Sequence, residues 1–241
     1  FPAGLFANLV TDNDTVAHVI EDDRVAAVTL TGSMRAGSAV AAIAGRALKK
    51  SLLELGGSDA FIVLADADID LAVHAAVEAR FQNAGQVCLA AKRFILEAPI
   101  AEAFTQKFIA AVSQLKVGDR MDPLPRVGPM ARKDLRDELH RQVERTLEAG
   151  ATLLLGGHKL EGRGNFYAPT VLGNVTPGMA AFDEETFGPV AAVTVADSAE
   201  HAIELANTSD YGLGGNLWTA DIERGQRIAR RLETGGVFIY G

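Results

Sequence analysis

Two side chains in this sequence have the chemistry of a covalent catalyst. Cys88 is the only cysteine among 241 residues and sits in Phe81-Gln82-Asn83-Ala84-Gly85-Gln86-Val87-Cys88. Glu54 lies upstream, in Leu53-Glu54-Leu55-Gly56-Gly57. A lone thiol can form neither an intramolecular disulfide nor a cysteine zinc site. It is either a buried, inert small hydrophobe or a nucleophile. Gly85 lets backbone approach closely, so main-chain N–H groups near Cys88 could hold an oxyanion. Glu54 ends an apolar strand, and a carboxylate among leucines is costly unless paired or protonated. Burial there would tune it for general-base work, whereas a side chain turned to solvent would not be so tuned.

Two further segments have binding chemistry. Thr31-Gly32-Ser33-Met34-Arg35-Ala36-Gly37 follows a strand and opens a helix. Helix-start N–H groups, a hydroxyl and two glycines suit a diphosphate. The spacing is neither the dinucleotide fingerprint nor a Walker loop, and a plain tight turn is the other reading. Asp183-Glu184-Glu185-Thr186-Phe187-Gly188-Pro189 precedes a strong strand. Its acids could accept hydrogen bonds from ribose hydroxyls, or form a solvated acidic turn. His18, His74, His140, His158 and His201 are scattered and lack metal-ligand spacing, so no metal is expected. No Gly-x-Ser-x-Gly elbow is present.

Alternating elements must position these groups. Short apolar runs predict strands over residues 5–10, 25–30, 51–55, 60–64, 93–97, 152–155, 170–172, 190–195, 216–219 and 236–240. They are rich in Val, Ile and Leu, as strands buried on both faces should be. Helices are predicted over 15–20, 35–48, 69–83, 100–115, 131–149, 199–207 and 222–232. Asp68 is a natural N-cap for the third, and Pro99 suits the first position of the fourth. Such alternation predicts an α/β fold, with mostly parallel sheets and helices on both faces. Residues 116–130, with Gly118, Pro123, Pro125, Gly128 and Pro129, read as an ordered surface loop. The character of the chain changes near Gly56-Gly57, which places a domain boundary between residues 57 and 58.

A net charge of −8 argues against nonspecific nucleic-acid binding. No apolar run is long enough to span a membrane, and no signal peptide is visible. One cysteine fits a reducing compartment, so a cytoplasmic location is expected. The chain starts at Phe1-Pro2-Ala3-Gly4 without Met and stops on an apparent strand. It is therefore expected to be a piece of a longer chain.

Taken in order, four segments resemble the aldehyde dehydrogenase superfamily: Thr31-Gly32-Ser33, Leu53-Glu54-Leu55-Gly56-Gly57, Asn83-Ala84-Gly85-Gln86-Val87-Cys88 and Glu185-Thr186-Phe187-Gly188-Pro189. Gly128-Pro129-Met130, residues 166–172 and Tyr211-Gly212-Leu213-Gly214 support the match, which covers essentially the whole chain. Glu54-Leu55-Gly56-Gly57-Ser58-Asp59 and the run from Cys88 to Phe94 resemble the bacterial succinate-semialdehyde branch.

The resemblance implies that residues 1–57 are the end of an incomplete Rossmann-type NAD or NADP domain and that 58–241 are the catalytic domain. Cys88 would attack the aldehyde and pass through a thiohemiacetal and a thioester, and Glu54 would activate the hydrolytic water. Gly32, Ser33, Gly37 and Leu55 would line the cofactor, Glu185 would bind the nicotinamide ribose, and Phe187 would pack near its ring. A small aldehyde substrate and a homo-oligomer are implied. The family's chain is about twice as long, so the isolated piece is expected to be inactive, and the family's oxyanion Asn would lie outside it. Gln82 stands where many succinate-semialdehyde enzymes carry a carboxylate-gripping Arg. Arg80, two helical positions away, would point about 200° from that position. Ala90 replaces a second cysteine found in some members, which removes the disulfide switch. A phosphate-dependent acyl reductase and a non-catalytic binding module are the competing readings. Retention of Glu54 favours the hydrolytic enzyme.

Overall fold

A computed structural model describes residues 1–119 and 127–240. The chain divides into two compact units, Phe1–Gly56 and Gly57–Gly241. Together their elements make the α/β fold expected from the alternating pattern, with one antiparallel pair among parallel strands.

In the first unit, β1 (Ala27–Thr31) and β2 (Lys50–Glu54) form a parallel pair in which Thr31 lies opposite Glu54. The crossover is α2 (Met34–Arg46), and α1 (Asn13–Glu21) precedes β1. Asp12 caps α1 by accepting the Thr15 N–H at 2.8 Å. Lys49 closes the other end of α1, donating to the Ile20 and Asp22 carbonyls at 2.7 and 2.5 Å. Two expectations fail here. Residues 5–10 form no strand, and Leu5, Phe6, Leu9 and Val10 are exposed. An apolar run becomes a strand only when a neighbour takes its hydrogen bonds, and no described strand pairs with it. Nor are β1 and β2 buried on both faces: all their residues are exposed or half-buried.

The second unit is a seven-stranded sheet in the spatial order β5–β6–β7–β4–β3–β8–β9. Its strands are β3 (Asp59–Val63), β4 (Ala91–Glu97), β5 (Thr152–Leu155), β6 (Thr170–Gly173), β7 (Val190–Ala196), β8 (Gly215–Trp218) and β9 (Val237–Tyr240). All neighbouring pairs are parallel except β5 with β6. Successive residues of a strand face opposite sides, so a strand covered on both sides must be apolar throughout. Phe61 and Val63 of β3 face one side with Phe94 and Leu96 of β4, against α3 (Ile69–Phe81) and α4 (Ala98–Ser113). Ala60, Ile62 and Leu64 face the other. There they meet α5 (Lys133–Glu148), α6 (Ala180–Asp183), α7 (Ala199–Asn207) and α8 (Ile222–Ala229). Each large apolar side chain so buried contributes about 1.5–3 kcal/mol.

Local signals set the ends of these helices. Asp68 caps α3, its carboxylate accepting the Asp70 and Leu71 N–H groups at 3.0 and 3.1 Å. Helix α4 opens at Ala98, with Pro99 in its first turn. The pattern did not disclose the four-residue α6. Helix α3 stops at Phe81, short of the expected Asn83, because Asn83, Ala84 and Gly85 take φ of 50°, 55° and 71°. Of the expected loop 116–130, Val117 and Val127 form a parallel bridge, while residues 120–126 lie outside the described structure.

Candidate active site

In the first unit the candidates cluster where β1 and β2 end. Gly32 follows β1, and its N–H donates to the Glu54 carbonyl at 3.0 Å. Ser33 caps α2, its Oγ accepting the Ala36 N–H at 3.2 Å. A capped helix start beside the carboxyl ends of parallel strands presents N–H dipoles to an anion. Gly37 is buried: a Cβ there would stand 2.5 Å from a methyl carbon of Leu55, so the glycine lets α2 lie close to the end of β2. Of the two readings open for Glu54, the structure has the exposed one: its side chain is turned to solvent at the end of β2.

In the second unit the chemistry gathers at the amino ends of strands. Cys88 lies in a turn between α3 and β4, half-buried and with a free thiol. The left-handed run at Asn83, Ala84 and Gly85 bends the chain into this turn. Two consecutive non-glycine residues in that region store strain that surrounding contacts must hold. Asn83 and Gln86 exchange side-chain bonds to each other's carbonyls at 3.1 and 3.2 Å. Gln86 Oε1 also accepts the Ala131 N–H at 2.8 Å, which ties the turn to the Gly128-Pro129-Met130 segment. Gly85 fits where little else would, since a Cβ would fall 2.3 Å from the Gly188 carbonyl oxygen.

Two buried cations fasten the turn from below. Arg80 is fully buried on α3. Its guanidinium donates to the Ala91, Gly85 and Thr186 carbonyls at 3.2, 3.3 and 3.0 Å, and to the Gly188 carbonyl. One side chain thus joins the Cys88 segment to the 185–189 segment. Burial pulls Arg80 down to about 9, with Glu185 opposing. Lys92 Nζ donates to the Val87, Cys88 and Ala90 carbonyls at 3.0, 2.8 and 3.2 Å. Burial pulls Lys92 down to about 8; Arg80 adds to this, and Glu185, Asp59 and Cys88 oppose it. Among the described residues the Cys88 N–H has no acceptor.

Glu185 and Gly57 complete the cluster. Glu185 Oε1 accepts the Gly57 N–H at 3.1 Å and lies 3.8 Å from Lys92 Nζ. Its other carboxylate oxygen has no partner among the described residues, and the side chain is partly exposed. That fits it to accept a sugar hydroxyl. Gly57 lies against the Cys88 carbonyl, which a Cβ would approach to 2.6 Å. Phe187 is exposed. Asp59, buried at the start of β3, accepts the Gly214 N–H at 3.1 Å. Burial pushes its carboxyl up, and Gly214, Lys92 and Arg93 oppose that shift.

Within the second unit, then, Cys88 and Glu185 are brought together, and each predicted residue of the first unit lies by the ends of β1 and β2. The sequence reading missed Arg80, as a builder of the site, and Lys92 and Asp59. The available signal was charge inside apolar elements: Lys92-Arg93 enters a buried strand, and such residues are almost never fully buried unless paired. Gln82 is exposed, and Arg80, committed to backbone carbonyls, cannot grip a substrate. Among the described residues no group of three or more His, Cys, Asp or Glu side chains could hold a metal, and no helix is long and apolar enough to cross a membrane.

The chain is similar to known proteins over its whole length. A succinate semialdehyde dehydrogenase (NAD(P)+) of Escherichia coli strain K12 is 62% identical over 240 residues, covering all of this chain and 52% of that protein. A succinate-semialdehyde dehydrogenase (NADP+) of Mycolicibacterium paratuberculosis is 51% identical over 241 residues, covering 51% of that protein. The chain spans about half the length of the curated relatives it matches. Among solved structures, the succinic semialdehyde dehydrogenase of Streptococcus pyogenes in complex with NADP+ superposes with a TM-score of 0.94 at 40% identity, over 96% of this chain and 51% of that one. The lactaldehyde dehydrogenase of Escherichia coli gives 0.90 at 36% identity, over 93% and 47%. Residues 1–241 match the aldehyde dehydrogenase family from end to end, and the chain belongs to that family.

Proposed function

We propose that the protein containing this chain oxidises an aldehyde, succinate semialdehyde or a similar semialdehyde, to its carboxylic acid with NAD or NADP. The observation that carries this reading is the Cys88 turn. A half-buried thiol sits there on a backbone fixed by Lys92 and Arg80, with its own N–H free and the Glu185 carboxylate tied to the same cluster. The names of the relatives support the substrate class and the cofactor.

In this reading Cys88 adds to the aldehyde carbonyl, and the Cys88 N–H stabilises the oxyanion. Bound NAD or NADP supplies the hydride acceptor. Glu54 is the base that activates water to release the acid from Cys88. The start of α2, with Gly32 and Ser33, holds the diphosphate, while Gly37 lets Leu55 pack close beneath it. Glu185 accepts from the ribose, and Phe187 offers an apolar face to the ring. Residues 1–57 belong to the cofactor domain and 58–241 to the catalytic domain. Homo-oligomers and a cytoplasmic location are part of the same reading. The exposed Gln82 makes grip on a substrate carboxylate the weakest element, so uncharged aldehydes of similar length are the necessary comparison.

The test is reduced-nicotinamide formation by the full-length protein, offered succinate semialdehyde beside uncharged aldehydes, with each cofactor. Loss of turnover in Cys88→Ala, and a thioester that accumulates in Glu54→Gln, are expected. Undiminished turnover in Cys88→Ala would overturn the mechanism. Phosphate-dependent acyl transfer without hydrolysis would move the assignment to a reductase. The 241-residue chain alone is expected to be inactive.

A further inference from the structure

Lys92 is a charged side chain with no role in the chemistry above, yet it has no exposed surface. Its position is unusual. On β3, Asp59 pairs with Ala91 and the next residue, Ala60, pairs with Arg93, so Lys92 is the extra residue of a bulge. The ladder with β7 also begins only at Arg93. A bulge re-aims a side chain. Here it turns Nζ back under the preceding turn, where the ammonium spends its three protons on the Val87, Cys88 and Ala90 carbonyls.

Those carbonyls belong to the peptides on either side of the nucleophile. Fixing the Cys88 carbonyl sets the plane of the peptide that follows the thiol, and fixing the Val87 carbonyl sets the plane of the peptide that carries the Cys88 N–H. The same cation faces Glu185 from the segment before β7, Asp59 from β3, Arg80 from α3 and Cys88 itself. Arg93, next on the strand, is engaged elsewhere with the Ser58, Leu205 and Ala206 carbonyls.

We propose that Lys92 is the positioning residue of the Cys88 nucleophile, holding the turn so that thiol and N–H face the substrate together and placing a buried positive charge beneath them. The proposal rests on the reading of Cys88 as nucleophile. Glu185 shares that charge, so the residue assigned to the ribose and the residue assigned to the aldehyde are joined through one ammonium.

The test is made on the full-length protein with Lys92→Met, Lys92→Arg and Lys92→Gln. Iodoacetamide alkylation of Cys88, followed by mass spectrometry at pH 7 without aldehyde or cofactor, is the first readout. Lys92→Met is expected to react about tenfold more slowly and Lys92→Arg within about threefold of the parent. Lys92→Gln, which has polar atoms but no charge, is expected to react as slowly as Lys92→Met. In turnover, Lys92→Met should lose kcat about tenfold with KM for the aldehyde within about threefold. The parent's kcat should fall as pH rises through about 8, where Lys92 loses its proton, and Lys92→Arg should hold its kcat beyond that point. A folded Lys92→Met with a lower Tm but unchanged alkylation and kcat would overturn the proposal and leave Lys92 a structural cation. Should Lys92→Met not fold, alkylation and kcat in a folded Lys92→Gln that match the parent overturn it instead. Full turnover by Cys88→Ala would sink the nucleophile reading separately, because the alkylation comparison needs no turnover.

Discussion

In the first unit the candidate residues follow their strands: Gly32 and Ser33 come after β1, Leu55 after β2. In the second they precede them: Gly57 comes before β3, Cys88 before β4, Glu185 before β7 and Gly214 before β8. Each end of a parallel α/β layer offers different chemistry. Carboxyl ends of strands lead into helix starts, whose free N–H groups favour anions. Amino ends receive the chain from helix ends and loops, whose free carbonyls favour cations. The second unit answers with buried cations. Arg80 and Lys92 spend their donors on carbonyls of the 85–91 and 186–188 segments, and Arg93 takes the Leu205 and Ala206 carbonyls at the end of α7. The first unit has a serine cap at its candidate site, and its own carbonyl-bound cation, the half-buried Lys49 before β2, lies at the opposite strand end. A diphosphate site needs little more than backbone, whereas a fixed thiol among carbonyls needs charges beneath it.

The comparison breaks most easily at Arg80. Arg80→Met strips the donor from four carbonyls and is expected to cost about 4 kcal/mol or more, since each orphaned buried acceptor costs about 1–3 kcal/mol. Urea unfolding followed by Trp218 fluorescence would measure it, and a loss below about 1 kcal/mol would mean the cation is dispensable.

Next in size is a pH effect. Lys92 sits at about 8 in the folded chain against an ordinary 10.5, so between those values the unfolded state holds more protons. Stability should therefore rise with pH across that window, by about 3 kcal/mol for Lys92 alone. The rise is relative to Lys92→Met, which lacks this titration; parallel curves for the two proteins between pH 8 and 10 would contradict the burial of a charged lysine.

The glycines sharpen the contrast. Gly85→Ala combines a left-handed φ of 71° with a backbone carbonyl 2.3 Å from the new Cβ, and is expected to cost about 2–3 kcal/mol by thermal melts. Gly37→Ala meets only the flexible end of Leu55 and gains about 1 kcal/mol of helix propensity, so its net effect should stay within about 1 kcal/mol of zero. Equal losses at the two positions would mean that the first unit is packed as rigidly as the second.

Much of this was legible in the chain because it is local. Asp68 caps α3 through atoms within three residues of it, so no distant partner had to be known. Apolar runs marked β3, β4 and β7 because burial on both faces favours apolar residues along most of a strand. The same rule misled at residues 5–10, an equally apolar run with which no described strand pairs, while the leucine neighbours of Glu54 left open whether it is buried, and the structure exposes it.

The sequence by itself determined the alternating order of elements, the single thiol on a loop, and the motifs that mark the family. Only the tertiary structure decided which end of the sheet holds the thiol, that β4 bulges at Lys92, and that Arg80 joins segments more than 100 residues apart. Strand order, register and the destination of a buried donor depend on which distant carbonyls come within reach. No pattern of neighbouring residues encodes that distance.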